Sequence, residues 1–97
     1  MSINKNQRRK LKALAHHLKK NIIIGKDGVT EGAINSISEK IEKDELIKIK
    51  FSQHKEKKRT MSNKIVESIQ AEEICLIGNI LTIYKKSKNP QNRHIKI

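Results

Sequence analysis

The run Ile22-Ile23-Ile24-Gly25-Lys26-Asp27-Gly28-Val29-Thr30 restricts this chain more than any other stretch. Three consecutive β-branched residues favour a short buried strand. A G-x-x-G turn follows at once. Thr30 is then placed to cap a helix carrying Ala33, Ile34, Ile37 and Ile41 on one face. Strand, turn and helix in this order put the glycines at a helix N-terminus, where backbone amides and the helix dipole favour an anion. Gly25 and Gly28 lack a Cβ, so a phosphodiester backbone can come close to the main chain. Lys26 adds a positive charge at the tip, beside Asp27. The same residues would also serve as a plain turn, so the motif needs support from elsewhere. It matches neither the P-loop pattern G-x-x-x-x-G-K-[ST] nor the dinucleotide fingerprint G-x-G-x-x-G, so a nucleotide-dependent enzyme has no support.

A chain of 97 residues reads as one domain. Its aromatic residues are Phe51 and Tyr84 alone, so the core has to be aliphatic. Surfaces that stack bases on several aromatic rings are excluded for the same reason. Cys75 lies in an apolar run and reads as a small core hydrophobe, consistent with a reducing, cytoplasmic setting. His16, His17, His54 and His94 show no metal-ligand spacing with that cysteine, and neither metal nor cofactor is expected. No apolar run approaches the ~20 residues of a membrane-spanning helix.

Charge is segregated along the chain. Residues 1–26 hold eight Lys/Arg and no acid, and residues 74–97 hold five and no acid. The two ends together carry +13 and the middle −1. An ordinary solvated surface intersperses the two signs, so this pattern points to a polyanionic partner.

Helix one is expected to start with Asn4 as cap and Gln7 closing a capping box. Leu11, Leu14, Ala15 and Leu18 follow helical spacing and form its expected core face. Lys5, Arg9, Lys12, His16 and Lys20 fall within roughly 80° of one another on the opposite side at 100° per residue. With no acid in the segment, no ion pair within the helix can neutralise this stripe. Strand one is Ile22–Ile24, and helix two runs from about Thr30 to Lys43. Strand two, Leu46–Ser52, alternates Ile47, Ile49 and Phe51 with Lys48, Lys50 and Ser52, so one face is buried and the other basic or wet. The segment 53–59 is a polar, basic connection. Helix three follows to about Gln70, with Met61, Ile65 and Ile69 inward. Two strands, Ile74–Ile77 and Ile80–Tyr84, flank a Gly78-Asn79 hairpin turn. The order α-β-α-β-α-β-β gives an α/β fold, a small mixed four-stranded sheet with three helices, strands one and two being parallel. Residues 1–86 form the domain, and 87–97 read as a flexible basic tail.

Several stretches taken together resemble the CRM domain, in particular the stand-alone members of the YhbY family. They are Leu14-Ala15-His16-His17-Leu18-Lys19, then Ile24-Gly25-Lys26-Asp27-Gly28-Val29-Thr30-Glu31-Gly32, then Glu45-Leu46-Ile47-Lys48-Ile49-Lys50, and Ile77-Gly78 with Leu81-Thr82-Ile83-Tyr84-Lys85. The resemblance covers about residues 4–86. It implies a fold similar to the C-terminal domain of a bacterial translation initiation factor. It also implies a non-catalytic RNA-binding protein that associates with ribosomal RNA or precursors of the large subunit during ribosome assembly. The expected RNA contacts are then Gly25, Lys26, Asp27 and Gly28, with Lys5, Arg9, Lys12, His16 and Lys20 from the helix-one stripe. The chain departs from the family pattern at Asn21, where a proline is usual, at Ala71-Glu72-Glu73, which replaces a Thr-Gly segment, and at Lys85, which replaces an arginine.

A monomer acting in the cytoplasm on structured RNA is the reading that follows. The alternative is a basic DNA-binding or nucleoid-type protein, which charge alone allows although no recognition-helix pair is visible. A metal-dependent nuclease needs convergent carboxylates. Asp44-Glu45 and Asp27 with Glu31 are isolated pairs, so no enzyme is expected.

Overall fold

The computed structural model describes residues 3–19 and 22–95. Its first element opens on a reciprocal cap. The Asn4 side chain accepts the Gln7 amide at 2.8 Å, and the Gln7 side chain accepts the Asn4 amide at 2.9 Å. From there α1 runs over Lys5–His16, followed by β1 (Ile22–Ile24), α2 (Glu31–Asp44) and β2 (Leu46–Phe51). A 3-10 turn at Lys55–Lys57 leads into α3 (Lys58–Ile69), then β3 (Glu72–Ile77) and β4 (Ile80–Tyr84), and a second 3-10 turn follows at Pro90–Asn92. The sheet order is β1-β2-β4-β3, with β1 parallel to β2 and the other two pairings antiparallel. The expected α/β architecture of three helices on a mixed four-stranded sheet is therefore the observed one.

Helices cover the two sheet faces unequally. On one face α2 and α3 lay Ile37, Ile41, Met61, Ile65 and Ile69 against Ile24, Ile47, Ile49, Phe51, Leu81 and Ile83. On the other, α1 seats Leu11 and Ala15 over Leu46, Ile74 and Tyr84, with Ile3, Leu18, Cys75 and Ile95 around them. A bulge between Glu73 and Cys75 breaks the β3 register. It brings the consecutive residues Ile74 and Cys75 both to the α1 side. The Arg8 guanidinium donates to the carbonyls of Glu73 and Ile74 there, which ties α1 to this edge strand.

Three expectations need correction. Leu14 is 45% exposed and does not belong to the core face of α1. The helix ends at His16, so Leu18 packs from the following loop. The lysine face of β2 is not uniformly wet either. Leu46 is buried beneath α1, Lys48 is half-buried and Lys50 is exposed. The cause is shared: a helix crossing only half of a sheet face buries a narrow strip of itself and only one end of each strand.

The segment after β4, expected to be a flexible tail, lies against α2 as far as Ile95. Two carboxylates hold it by its backbone. Glu45, buried and at φ 64, accepts the Ser87 amide at 2.7 Å and the His94 amide at 3.1 Å. Glu42 accepts the Ser87 hydroxyl at 2.8 Å and the Lys88 amide at 2.7 Å. The Ser87 hydroxyl, with the Lys88 and Asn89 amides and the Lys85 charge, holds the Glu42 carboxyl below the usual carboxylate range. Burial, and then the Glu45 charge, push the Tyr84 hydroxyl above its ordinary value. Hydrogen bonds to backbone amides leave no periodic trace in a sequence, so the clasp could not be read there.

Candidate nucleic-acid interface

The G-x-x-G turn closes on itself through the Gly28 amide, which donates to the Gly25 carbonyl at 3.0 Å. Gly28 adopts φ 71, the left-handed conformation that glycine accepts without strain. Lys26 and Asp27 are exposed at the tip. The helix behind them is less open to an anion than the sequence suggests. The Thr30 hydroxyl already accepts the Ala33 amide at 3.1 Å, and Glu31 places a carboxylate in the first turn. Both offset the dipole on which an incoming phosphate would draw.

Two other connections gather at this end of the sheet. Ser52 returns its amide and its hydroxyl to the Ile24 carbonyl at 2.9 and 3.1 Å. His54 Nε2 lies 2.7 Å from the Lys26 carbonyl oxygen. The Lys58 ammonium donates to the Gly78 carbonyl at 2.6 Å, and the Phe51 amide to the Asn79 carbonyl at 2.8 Å. The 25–28 turn, the segment 52–58 and the β3–β4 hairpin thus form one hydrogen-bonded rim. The sequence shows His54 and Lys58 only as part of the basic 53–59 connection, because their contacts join segments distant along the chain.

Along α1, Lys5, Arg9, Lys12 and His16 are all exposed, whereas Arg8 is engaged at the β3 bulge. Lys20 lies outside the described residues, and the helix that would carry it ends at His16. Lys12 and His16 wall a groove of about 210 Å³ whose other sides are Lys48, Cys75, Ile77, Ile80 and Thr82. Among the described residues none of Lys12, His16, Lys48 and Lys50 is ion-paired. Lys12 and His16 of the stripe therefore border the open part of the sheet from the α1 side, and the G-x-x-G turn follows the end of β1. The lysines on β2 form the floor between them. Their alternation was legible in the sequence, but their position between stripe and turn needed the strand order.

Gln70 takes the left-handed turn after α3 at φ 56, ahead of Ala71-Glu72-Glu73. The Lys85 ammonium donates to the Ile69 carbonyl at 2.8 Å, capping the same helix end. Asn21 lies outside the described residues. Among those residues no three histidine, cysteine or carboxylate side chains converge as a metal site. Among the described residues no helix is long and apolar enough to cross a membrane.

Known proteins resemble this chain in sequence and in fold. The chain is 35% identical to an RNA-binding protein of Haemophilus influenzae, over 90% of its own length and 89% of the relative's. It is also 35% identical to YqeI of Bacillus subtilis, named as a probable RNA-binding protein, over 94% of each chain. A hypothetical protein of Staphylococcus aureus, assigned provisionally to RNA binding and solved in solution, superposes with a TM-score of 0.79. That alignment covers 98% of this chain and all of the other, at 29% identity. The family model for the CRS1/YhbY (CRM) domain matches residues 3–85, which takes in the capped first helix, the G-x-x-G turn and every strand, and the chain belongs to that family.

Proposed function

We propose that this protein binds structured RNA without catalysing a reaction on it. The observation that carries the reading is the groove on the open sheet face, walled by the unpaired cations Lys12 and His16 with Lys48 on its floor. Lys5 and Arg9 continue the same exposed stripe along α1, Lys50 follows Lys48 on β2, and Lys26 stands in the Gly25–Gly28 turn. The names borne by the relatives agree with this. Phosphate contacts would supply most of the affinity, and the shape of the RNA would set its register. In the same proposal the target is ribosomal RNA in precursors of the large subunit, met in the cytoplasm by a monomer, as the family resemblance implies.

The salt dependence of binding tests the site. The logarithm of the affinity should fall linearly with the logarithm of salt concentration, by roughly 0.7–0.9 per phosphate contact. Lys12→Ala and Arg9→Ala should each weaken all structured RNAs alike and reduce that slope by about one. An unchanged slope in both variants removes α1 from the site. Sedimentation of the tagged protein through a sucrose gradient tests the target. Co-migration with large-subunit precursors is the expected result, and a free pool alone would refute it.

A further inference from the structure

One row of side chains crosses all four strands on the half of the sheet that α1 leaves uncovered. Ile23 pairs with Lys50, Lys50 with Ile80, and Ile80 with Ile77. At the usual strand spacing the row is about 14 Å wide. Its two outer members lie on the edge strands and are strongly exposed, Ile23 at 64% and Ile77 at 59%. Edge strands are ordinarily guarded by charge, so a large aliphatic side chain on each edge calls for an occupant. The adjacent row, Lys48, Thr82 and Cys75, is the floor of the groove walled by Lys12 and His16.

We propose that this face receives unpaired nucleotides, with bases lying on Ile23, Ile80 and Ile77 and phosphates held by Lys12, Lys48 and Lys50. The inference rests on the RNA-binding reading above and narrows it to RNA that presents a single-stranded loop or bulge. Charge decides the occupant. No carboxylate lines the groove, and Lys50 stands between two isoleucines. An apolar protein surface laid there would bury the Lys50 ammonium without a counter-charge, which is costly. A nucleotide brings an apolar base face and an anion together and satisfies both parts of the row. Continuity supports the same occupant, because the row runs from the groove beside the α1 stripe to the strand that leads into the G-x-x-G turn. A duplex keeps its base faces stacked inside and cannot use the platform. Contact with aliphatic side chains offers no hydrogen-bond readout, so the platform accepts any base.

The test compares a hairpin RNA closed by an adenosine-rich loop with a blunt duplex of the same stem. The double variant Ile23→Thr/Ile77→Thr keeps β-branching on both edges and removes the apolar platform. It should lose affinity for the hairpin by about tenfold, since two of the three aliphatic contacts to the bases are removed. Its affinity for the duplex and the salt slope of hairpin binding should not change. In the wild-type protein the methyl resonances of Ile23, Ile77 and Ile80 should shift on adding the hairpin and stay in place on adding the duplex. The buried Ile37 and Ile65 serve as internal references, and this arm needs no variant to fold. Wild-type hairpin affinity in the double variant overturns the inference, as do equal losses on hairpin and duplex or unshifted platform methyls. A wild-type dimer that the double variant dissociates would assign the face to a second copy and overturn it equally. If the wild type binds both RNAs and the double variant matches it, this inference alone falls. If the wild type binds neither, the RNA-binding reading falls with it.

Discussion

At Gly28 a Cβ would meet no atom within 4 Å, yet the backbone stands at φ 71. At Gly25 the φ is not positive, and a Cβ would meet only the Ser52 hydroxyl at 3.7 Å, an ordinary contact. The two glycines look equivalent in the sequence and are not. Only a dihedral angle distinguishes them, and the spacing of a motif does not encode it. Gly25→Ala should therefore fold with an unchanged melting temperature, and any loss of RNA affinity would report close approach of the phosphate backbone. Gly28→Asn should cost roughly 1–2 kcal/mol at most, because asparagine tolerates the left-handed region better than other side chains. Gly28→Asp carries similar strain plus a charge, so its RNA affinity should fall below that of Gly28→Asn. Equal affinities for the two variants would show that no phosphate lies near position 28.

Among the elements, α1 shows how far periodicity reaches. Helical spacing gave the direction of its apolar side correctly at Leu11 and Ala15, but it could not give the width of the strip that the sheet covers. Leu11 is fully buried and Leu14 is nearly half exposed. Leu11→Ala should cost about 2–5 kcal/mol in urea unfolding, as a cavity in a small core does. Leu14→Ala should cost no more than about 0.5 kcal/mol. The clasp on the C-terminal segment makes a prediction about acid. The Glu42 carboxyl is held below its ordinary value in the folded protein, so the detached state takes up a proton more readily. The stabilisation is complete above the ordinary carboxylate range and is lost as the pH falls through the lowered folded value. The amide resonances of Lys88 and Asn89 should follow that titration, and in Glu42→Gln they should be insensitive to pH over the same interval. A titration of these amides that persists in Glu42→Gln would place the controlling group elsewhere.

For the molecule as a whole, element order and parallel pairing were legible because each element carries its own period and its own punctuation. The open face was not. Ile23, Lys50, Ile80 and Ile77 come from four separate strands, and only cross-strand register places them in one row. The seat of α1 has a related consequence for the order of folding. Helix α1 precedes the whole sheet in the sequence, and Ile74 and Tyr84, against which it packs, follow only after α2 and α3. Helix α2 needs a shorter wait, since β1 and β2 on either side of it already supply Ile24, Ile47 and Ile49. Closing the longer loop costs more entropy and comes later. In pulse-labelled hydrogen exchange during refolding, the amides of Leu14 and Ala15 should gain protection after those of Ile37 and Ile41. Simultaneous protection would mean that α1 docks with the rest. If it lags, then for a time the most basic helix of a newly made chain is a detached amphipathic segment with its cations already on display, able to meet a polyanion before it has a sheet to lie on.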